Sequence, residues 1–96
     1  MDFSNALVLL KSGKKLTRRG WNGKNLFVVM QKGYPDGIPA NKQTSEVWGI
    51  PEGSLFKCEP YFQINTVRGS HAMWVPSVTD LLADDWSLVE NVKTTE

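Results

Sequence analysis

Two segments of the chain combine tryptophan with residues that bind anions or form hydrogen bonds. The first, residues 18–24, reads Arg-Arg-Gly-Trp-Asn-Gly-Lys. Asn-Gly is typical of a turn, and backbone N–H groups of a glycine-rich turn favour an anion beside the cations Arg18 and Lys24. An indole ring next to phosphate-binding groups is the minimal equipment for holding a nucleotide. The alternative is that Trp21 folds back on its own sheet or lies in a subunit interface.

The second segment, residues 73–86, reads Met-Trp-Val-Pro-Ser-Val-Thr-Asp-Leu-Leu-Ala-Asp-Asp-Trp. Ser77 followed three residues later by Asp80 predicts a helix start, where the hydroxyls of Ser77 and Thr79 could turn to a ligand. Trp74 offers a second aromatic face, and Asp80 and Asp84 could accept hydrogen bonds from ribose hydroxyls. The alternative places Trp74 in the core and makes Ser77 an ordinary helix cap.

The sequence also singles out a residue before this segment and the residue that ends it. Arg68 lies in a predicted turn before Trp74 and either adds positive charge to the same region or is simply solvated. Trp86 is expected to be a core residue.

The sequence shows no catalytic constellation. One histidine and one cysteine cannot form a zinc cluster of the usual ligands, and the common phosphate-loop and nucleophile-elbow motifs are missing. His71 is interpreted as an ordinary strand residue. Asp80 and Asp84 would share a helix face if the helix continued that far, and capping or ligand binding is favoured over catalysis. We therefore predict a non-enzyme without metal or cofactor.

Composition narrows the class of protein. The 96 residues are 41% apolar with a net charge of +1, which argues against a DNA- or RNA-binding protein because no basic excess exists to neutralise phosphates. Cys58 cannot form an internal disulfide. Neither a signal peptide nor a window long and apolar enough to span a membrane is visible. We expect a small soluble protein that acts inside a cell.

Local patterns predict the elements that must position the two segments. A helix is expected over residues 3–12. A hairpin is expected from residues 15–19 and 26–31, with Trp21 at its tip. Residues 32–45 are expected to form a long loop, and 56–66 a strand that pairs with 71–75. A short helix begins at Ser77 with Leu81 and Leu82 facing inward, and a last strand spans 86–89.

This order predicts an α+β fold, with a small antiparallel sheet, an N-terminal helix and a short C-terminal helix. The length is that of a single domain over residues 1–96, with a folded core at 1–90 and a polar tail at 91–96.

The two segments also carry a family resemblance. The runs F-S-N-A-L-V-L-L-K-S-G-K-K-L-T-R-R-G-W-N-G-K and W-V-P-S-V-T-D-L-L-A-D-D-W are similar to the second type of Thoeris anti-defense protein, a phage family once known only as a domain of unknown function. Members bind a TIR-produced cyclic ADP-ribose isomer, glycosyl-cyclic ADP-ribose, tightly and without cleaving it. They assemble as homotetramers with ligand pockets between subunits.

The resemblance therefore implies a sponge that works in the cytoplasm of an infected bacterium. It carries ligand binding to Trp21, Asn22, Trp74, Asp80 and Asp84, which fall at matching motif positions. Ser77 and Thr79 as hydroxyl partners, and Arg68, Arg18 and Lys24 as phosphate partners, are physical inferences. Val8, Leu9 and the long loop are candidate subunit contacts, because a chain of this size cannot easily enclose a ligand alone.

Two alternatives stay open at this point. One is a nucleotide-signal hydrolase that uses Asp80 and Asp84. The other is a protein–protein inhibitor that grips a host enzyme through Trp21 and the long loop.

Overall fold

A computed structural model of the chain describes residues 1–21, 25–66 and 68–90. Its elements, in chain order, are α1 (Phe3–Lys11), β1 (Lys15–Arg18), β2 (Phe27–Gln31), β3 (Tyr34–Pro39), α2 (Lys42–Trp48), β4 (Leu55–Cys58), β5 (Tyr61–Asn65), β6 (His71–Trp74), α3 (Val78–Leu82) and β7 (Trp86–Val89). They divide into two compact units, Met1–Gln31 with Phe62–Glu96 and Lys32–Tyr61. The single-domain assignment stays a prediction, and the predicted polar tail lies outside the described residues.

The first unit contains a five-stranded sheet in the order β6-β5-β2-β1-β7. Strand β1 is antiparallel to both β2 and β7, and β5 is antiparallel to β6. The α+β class, the first hairpin, the pairing of β5 with β6 and the final strand are confirmed. Since β1 lies between β2 and β7, residues near the two ends of the chain meet on neighbouring strands.

Helix α1 forms where its sequence supplies both a cap and an apolar stripe. The carboxylate of Asp2 accepts the backbone N–H of Asn5 at 2.9 Å, which satisfies one of the unpaired N–H groups of the first turn. Gly13 follows the helix at φ 92°, a conformation that glycine adopts without a Cβ clash. The helix buries Ala6 and Leu10 and leaves Val8 exposed.

The core of this unit is small and lies where α1 covers the sheet. Its buried residues are Ala6, Leu10, Leu16, Val28 and Trp86, with Phe3, Leu9, Trp21, Met30, Phe62, Ile64, Trp74 and Ala83 packed against them. The core role predicted for Trp86 is confirmed. The Trp21 ring packs against the core of its own unit, which agrees with the alternative that it folds back on its sheet.

The second unit overturns the prediction of a long loop over residues 32–45. Strands β3 and β4 pair antiparallel there and flank helix α2. Asn41 caps the helix by accepting the N–H of Thr44 at 2.8 Å, and Gly49 ends it at φ 72°. Because prolines lie near both ends of β3, its sequence lacks the alternation of apolar and polar residues that predicts a strand. Proline is nevertheless tolerated in a sheet of two strands because each strand is an edge.

Two other local predictions were wrong. Residues 56–66 form no single strand, because Glu59 and Pro60 separate β4 from β5 and the two strands belong to different sheets. Leu81 and Leu82 were expected to face inward, but both side chains are exposed. Among the described residues, no helix is long and apolar enough to cross a membrane.

Candidate functional site

Three tryptophans from distant parts of the chain meet at one end of the five-stranded sheet. Trp21, Trp74 and Trp86 form what we call the indole cluster, in which the ring centroids lie 5.3 to 6.1 Å apart. The rings are steeply inclined to one another, an edge-to-face arrangement that the aromatic quadrupole favours. The cluster explains how Trp21 and Trp74, 53 positions apart in the sequence, come to share one surface.

Burial differs among the three rings. Trp86 is 2% exposed and packs also against Phe3 at 5.4 Å. Trp21 and Trp74 are half-buried, and Phe62 supports Trp74 from the sheet at 5.8 Å. Trp86 is therefore a core residue, whereas Trp21 and Trp74 each keep part of the ring on the surface.

Asp80 connects the indole cluster to helix α3. Its Oδ2 accepts the backbone N–H of Ser77 at 3.0 Å, while Ser77 Oγ accepts the N–H of Asp80 at 3.1 Å, so the predicted capping box is confirmed. Its Oδ1 accepts the indole N–H of Trp21 at 3.2 Å, and its backbone carbonyl accepts that of Trp86 at 2.9 Å. One residue thus fixes the helix start and two of the three indoles.

A pair of partly buried salt bridges ties α3 and the segment that follows it to strand β1. Arg18 Nη1 donates to Asp80 Oδ1 at 2.7 Å, and Arg18 Nε donates to Asp85 Oδ1 at 2.7 Å. Asp85 Oδ2 also accepts the backbone N–H of Gly20 at 2.9 Å. We call Arg18, Asp80 and Asp85, with the bonds to Gly20 and Trp21, the Arg18 network. It joins Arg18, Gly20 and Trp21 of the first predicted segment to Asp80 and Asp85 of the second.

The network changes the acidity of its members. Burial raises the pKa of Asp80, but hydrogen bonds from Arg18, Ser77 and Trp21 outweigh it and leave that pKa below its usual value. The hydrogen bond from Arg18 lowers the pKa of Asp85 against a smaller effect of burial, with help from the Gly20 N–H. The hydrogen bonds that Arg18 donates to Asp85 and Asp80 raise its pKa. All three groups are therefore charged at neutral pH.

These shifts predict an acid limit to stability. Because the folded-state pKa values of Asp80 and Asp85 are depressed, the unfolded chain binds more protons in acid. Their contribution is complete above the unfolded carboxyl value of about 3.9 and disappears as pH falls through the lower folded values. We expect thermal midpoints from circular dichroism to decline below about pH 4, less steeply in Asp85→Asn than in the wild type.

The neighbouring Asp84→Asn variant is the control, because Asp84 is exposed and takes no part in these salt bridges. An Asp85→Asn curve that parallels the wild-type curve through this range would contradict the prediction.

Of the other predicted site residues, the structure places some near the indole cluster and others apart from it. Ser77 and Thr79 are exposed at the start of α3, beside the indole cluster. Asp84 is exposed but does not share a helix face with Asp80, because α3 ends at Leu82. Arg68 lies in the β5–β6 turn, at the opposite end of β6 from Trp74, so within one chain the two are not brought together.

Asn22 and Lys24 lie outside the described residues, and their proposed contacts stay predictions. Arg18 is described, but its guanidinium already faces two carboxylates, and it is 13% exposed.

Asp85 is the residue of this site that sequence reasoning did not select. It was visible only as one of several carboxylates near the C-terminal helix. Its partner became evident once β7 paired with β1, which places Arg18 opposite Trp86. Gly20 is a second case, since a Cβ there would lie 3.0 Å from Asp85 Oδ2.

Within the described part of the chain, no group of three or more metal-ligating side chains is close enough to hold an ion. A cavity of about 300 Å³ lies at the other end of β1, lined by Gly13, Lys14, Lys15, Leu88, Val89 and Glu90. Since none of the predicted site residues line it, the indole cluster and its polar surroundings are the candidate site.

Comparison with known proteins identifies the family. Residues 1–89 match the Thoeris anti-defense 2-like domain. The chain belongs to this family. Thoeris anti-defense 2 of Bacillus phage SP01 is similar to it, with 37% identity over 93 residues that cover 93% of this chain and 94% of the phage protein. The Thoeris anti-defense 2-like domain includes both tryptophan segments and the complete Arg18 network. The resemblance to the second Thoeris anti-defense type is confirmed.

Proposed function

We propose that the protein binds a TIR-produced cyclic ADP-ribose-type nucleotide, of the glycosyl-cyclic ADP-ribose class, and sequesters it without cleaving it. Thoeris signalling would then be blocked in the cytoplasm of an infected bacterium. The family membership supports the anti-defense role. The observation that carries the binding role is the meeting of two half-exposed indoles, Trp21 and Trp74, beside the polar start of α3.

The chemistry of the surface suits such a ligand. Adenine presents a flat π-face, and stacking on an aromatic side chain contributes about 1–3 kcal/mol per base. Trp21 and Trp74 have ring surface available for that contact. Ser77 and Thr79 are exposed residues at the start of α3, and their hydroxyls can bond ribose hydroxyls, although Ser77 Oγ already accepts the N–H of Asp80. In this proposal Asn22, Asp84 and Arg68 complete the polar contacts.

The state of Asp80 supports binding over cleavage. A general acid must carry a proton near neutral pH, and a general base needs an accessible oxygen. Asp80 has a lowered pKa, and its two oxygens accept hydrogen bonds from Arg18, Trp21 and Ser77. The Asp80–Asp84 pair of the hydrolase alternative also lacks the shared helix face on which it depended.

Tight sequestration favours a pocket between subunits. A nanomolar dissociation constant corresponds to about −12 kcal/mol, which is hard to obtain from rings that one chain leaves half-exposed. The elements that carry the site, and the residues next to them, also leave apolar side chains exposed: Met73, Val75, Val78, Leu81 and Leu82. We propose that the chain forms a homotetramer in which a second subunit covers this surface and helps to close the pocket.

A release experiment tests sequestration directly. The protein is incubated with the product of a Thoeris TIR enzyme, separated from free nucleotide by gel filtration and then heat-denatured. We expect the supernatant to contain the intact nucleotide, by mass spectrometry, in an amount close to the number of binding sites. Recovery of a cleaved product would indicate a hydrolase, and failure to retain nucleotide through gel filtration would contradict binding.

A further inference from the structure

Arg18 donates to Asp80, the residue that also bonds Trp21 and Trp86, and its surroundings are those of an internal structural charge. Its Nε and Nη1 each donate at 2.7 Å to a different carboxylate, and Nη2 points to Asp85 Oδ2 at 3.5 Å. A phosphate that approached this guanidinium would face the negative charges of Asp80 and Asp85 at close range. The same cation therefore has little to offer an anionic ligand.

The two carboxylates held by Arg18 in turn hold the chain around Trp21. Asp80 Oδ1 accepts the Trp21 indole N–H at 3.2 Å, and Asp85 Oδ2 accepts the Gly20 N–H at 2.9 Å. The backbone N–H of Trp21 donates to the carbonyl of Arg18 at 3.3 Å, which closes the turn. Both the ring and the peptide that precedes it are thus anchored to a single guanidinium through one intermediate carboxylate each.

Gly20, the residue before Trp21, packs closely against the side chains of Asp85 and Arg18. A Cβ at Gly20 would lie 3.0 Å from Asp85 Oδ2 and 3.4 Å from Arg18 Nη2, a tighter fit than side chains normally tolerate. A larger residue here would require the Asp85 carboxylate to shift by a few tenths of an ångström. The glycine, the arginine and Asp85 therefore fit one another as a unit.

We propose that Arg18 is a positioning residue and not a phosphate ligand: through Asp80 and Asp85 it fixes the Trp21 indole in the orientation that stacks on the nucleotide. This inference rests on the proposed function for its effect on affinity. A ring already held in place loses less conformational freedom on binding, so pre-organisation strengthens affinity without a direct contact.

Arg18→Lys is the informative variant, because lysine keeps the charge but cannot bridge two carboxylates with a planar fork. In a ¹H–¹⁵N spectrum without ligand, the four tryptophans should give separate indole N–H signals, assigned by single Trp→Phe variants. We expect Arg18→Lys to move the Trp21 signal and leave that of Trp48, in the other unit, unchanged. An unmoved Trp21 signal in folded protein would overturn the positioning role.

A double-mutant cycle separates positioning from direct contact. If Arg18 acts through Trp21, Arg18→Lys should weaken nucleotide binding by about tenfold in the wild type and much less in a Trp21→Ala background. Equal losses in both backgrounds would indicate a direct contact with phosphate and overturn the proposal. Arg19→Lys is the matched control, since the exposed Arg19 side chain is next in sequence and should leave the Trp21 signal unchanged.

A second variant covers the case in which Arg18→Lys does not fold. Asp85→Asn is nearly isosteric and retains the Arg18–Asp80 pair, yet it weakens the bonds to Arg18 and Gly20. We again expect a shift of the Trp21 indole signal and a loss of nucleotide affinity that depends on Trp21, both smaller than in Arg18→Lys. If the wild type binds no nucleotide, the proposed function fails, and the indole signals alone decide whether Arg18 orders Trp21.

Discussion

Trp86→Ala should lower the free energy of unfolding by about 3–5 kcal/mol, the usual cost of removing a buried tryptophan. The Trp86 side chain is 2% exposed and touches Phe3, Trp21 and Trp74. Its indole N–H donates to the buried carbonyl of Asp80 at 2.9 Å, which would lose its partner. Since a domain of this size has a total stability of about 5–14 kcal/mol, the variant should be close to unfolding.

Urea unfolding followed by circular dichroism measures the effect, with Trp48→Ala as the matched control. Trp48 is 61% exposed and packs edge-to-face on Phe56, so its removal should cost less than about 1 kcal/mol. Should Trp86→Ala prove insoluble, Trp86→Phe keeps most of the apolar surface and isolates the hydrogen bond. A Trp86→Ala protein as stable as the Trp48 control would show that the core is not built around this ring.

Trp21→Ala should lower affinity for the nucleotide at least about tenfold, because a stacking surface worth about 1–3 kcal/mol is removed. The structure adds a second consequence. Trp21 packs against Trp86 at 5.3 Å and donates to Asp80, so the variant should also lose stability, though less than Trp86→Ala. Calorimetric titrations with the purified TIR product must therefore be made well below the thermal midpoint, where the variant is fully folded.

Trp74→Ala, the other half-exposed indole, should behave in the same way, and Trp48→Ala should bind like the wild type. A Trp21→Ala protein with unchanged affinity and a lower midpoint would assign Trp21 a purely structural role. The wild-type titration itself separates the binding proposal from the protein–protein inhibitor alternative, because the alternative predicts no heat with nucleotide alone.

Sequence reasoning assigned Arg18 and Asp80 to the ligand. In the structure their charges are paired within the Arg18 network. What it presents instead is a fixed indole next to exposed hydroxyls. Under the proposed function, positive charge for a pyrophosphate would then come from Lys24, whose contact stays a prediction, or from the Arg68 turn of a partner subunit in the proposed homotetramer.

Local signals predicted most elements of the first unit because those elements depend on neighbouring residues. The Asp2 cap and Gly13 define α1, and the Ser77–Asp80 capping box defines the start of α3. The same reasoning failed in residues 32–45, where prolines obscure β3 and no strong apolar stripe marks α2. It failed at Leu81 and Leu82 because a helix of one and a half turns has no room to bury every apolar residue.

The sequence by itself determined the α+β class, the main caps and turns and the two tryptophan segments, since each depends on residue type and short spacing, and its resemblance to known relatives indicated the family. Only the tertiary structure decided which side chains of the two segments contact one another. The pairing of β1 with β7 brings Arg18 to Asp85 across 67 positions, and the indole cluster joins three rings from separate strands and turns. Such long-range contacts follow from strand order, which no local pattern encodes, and they place Arg18, a predicted phosphate ligand, between the two carboxylates that bond Trp21 and Gly20.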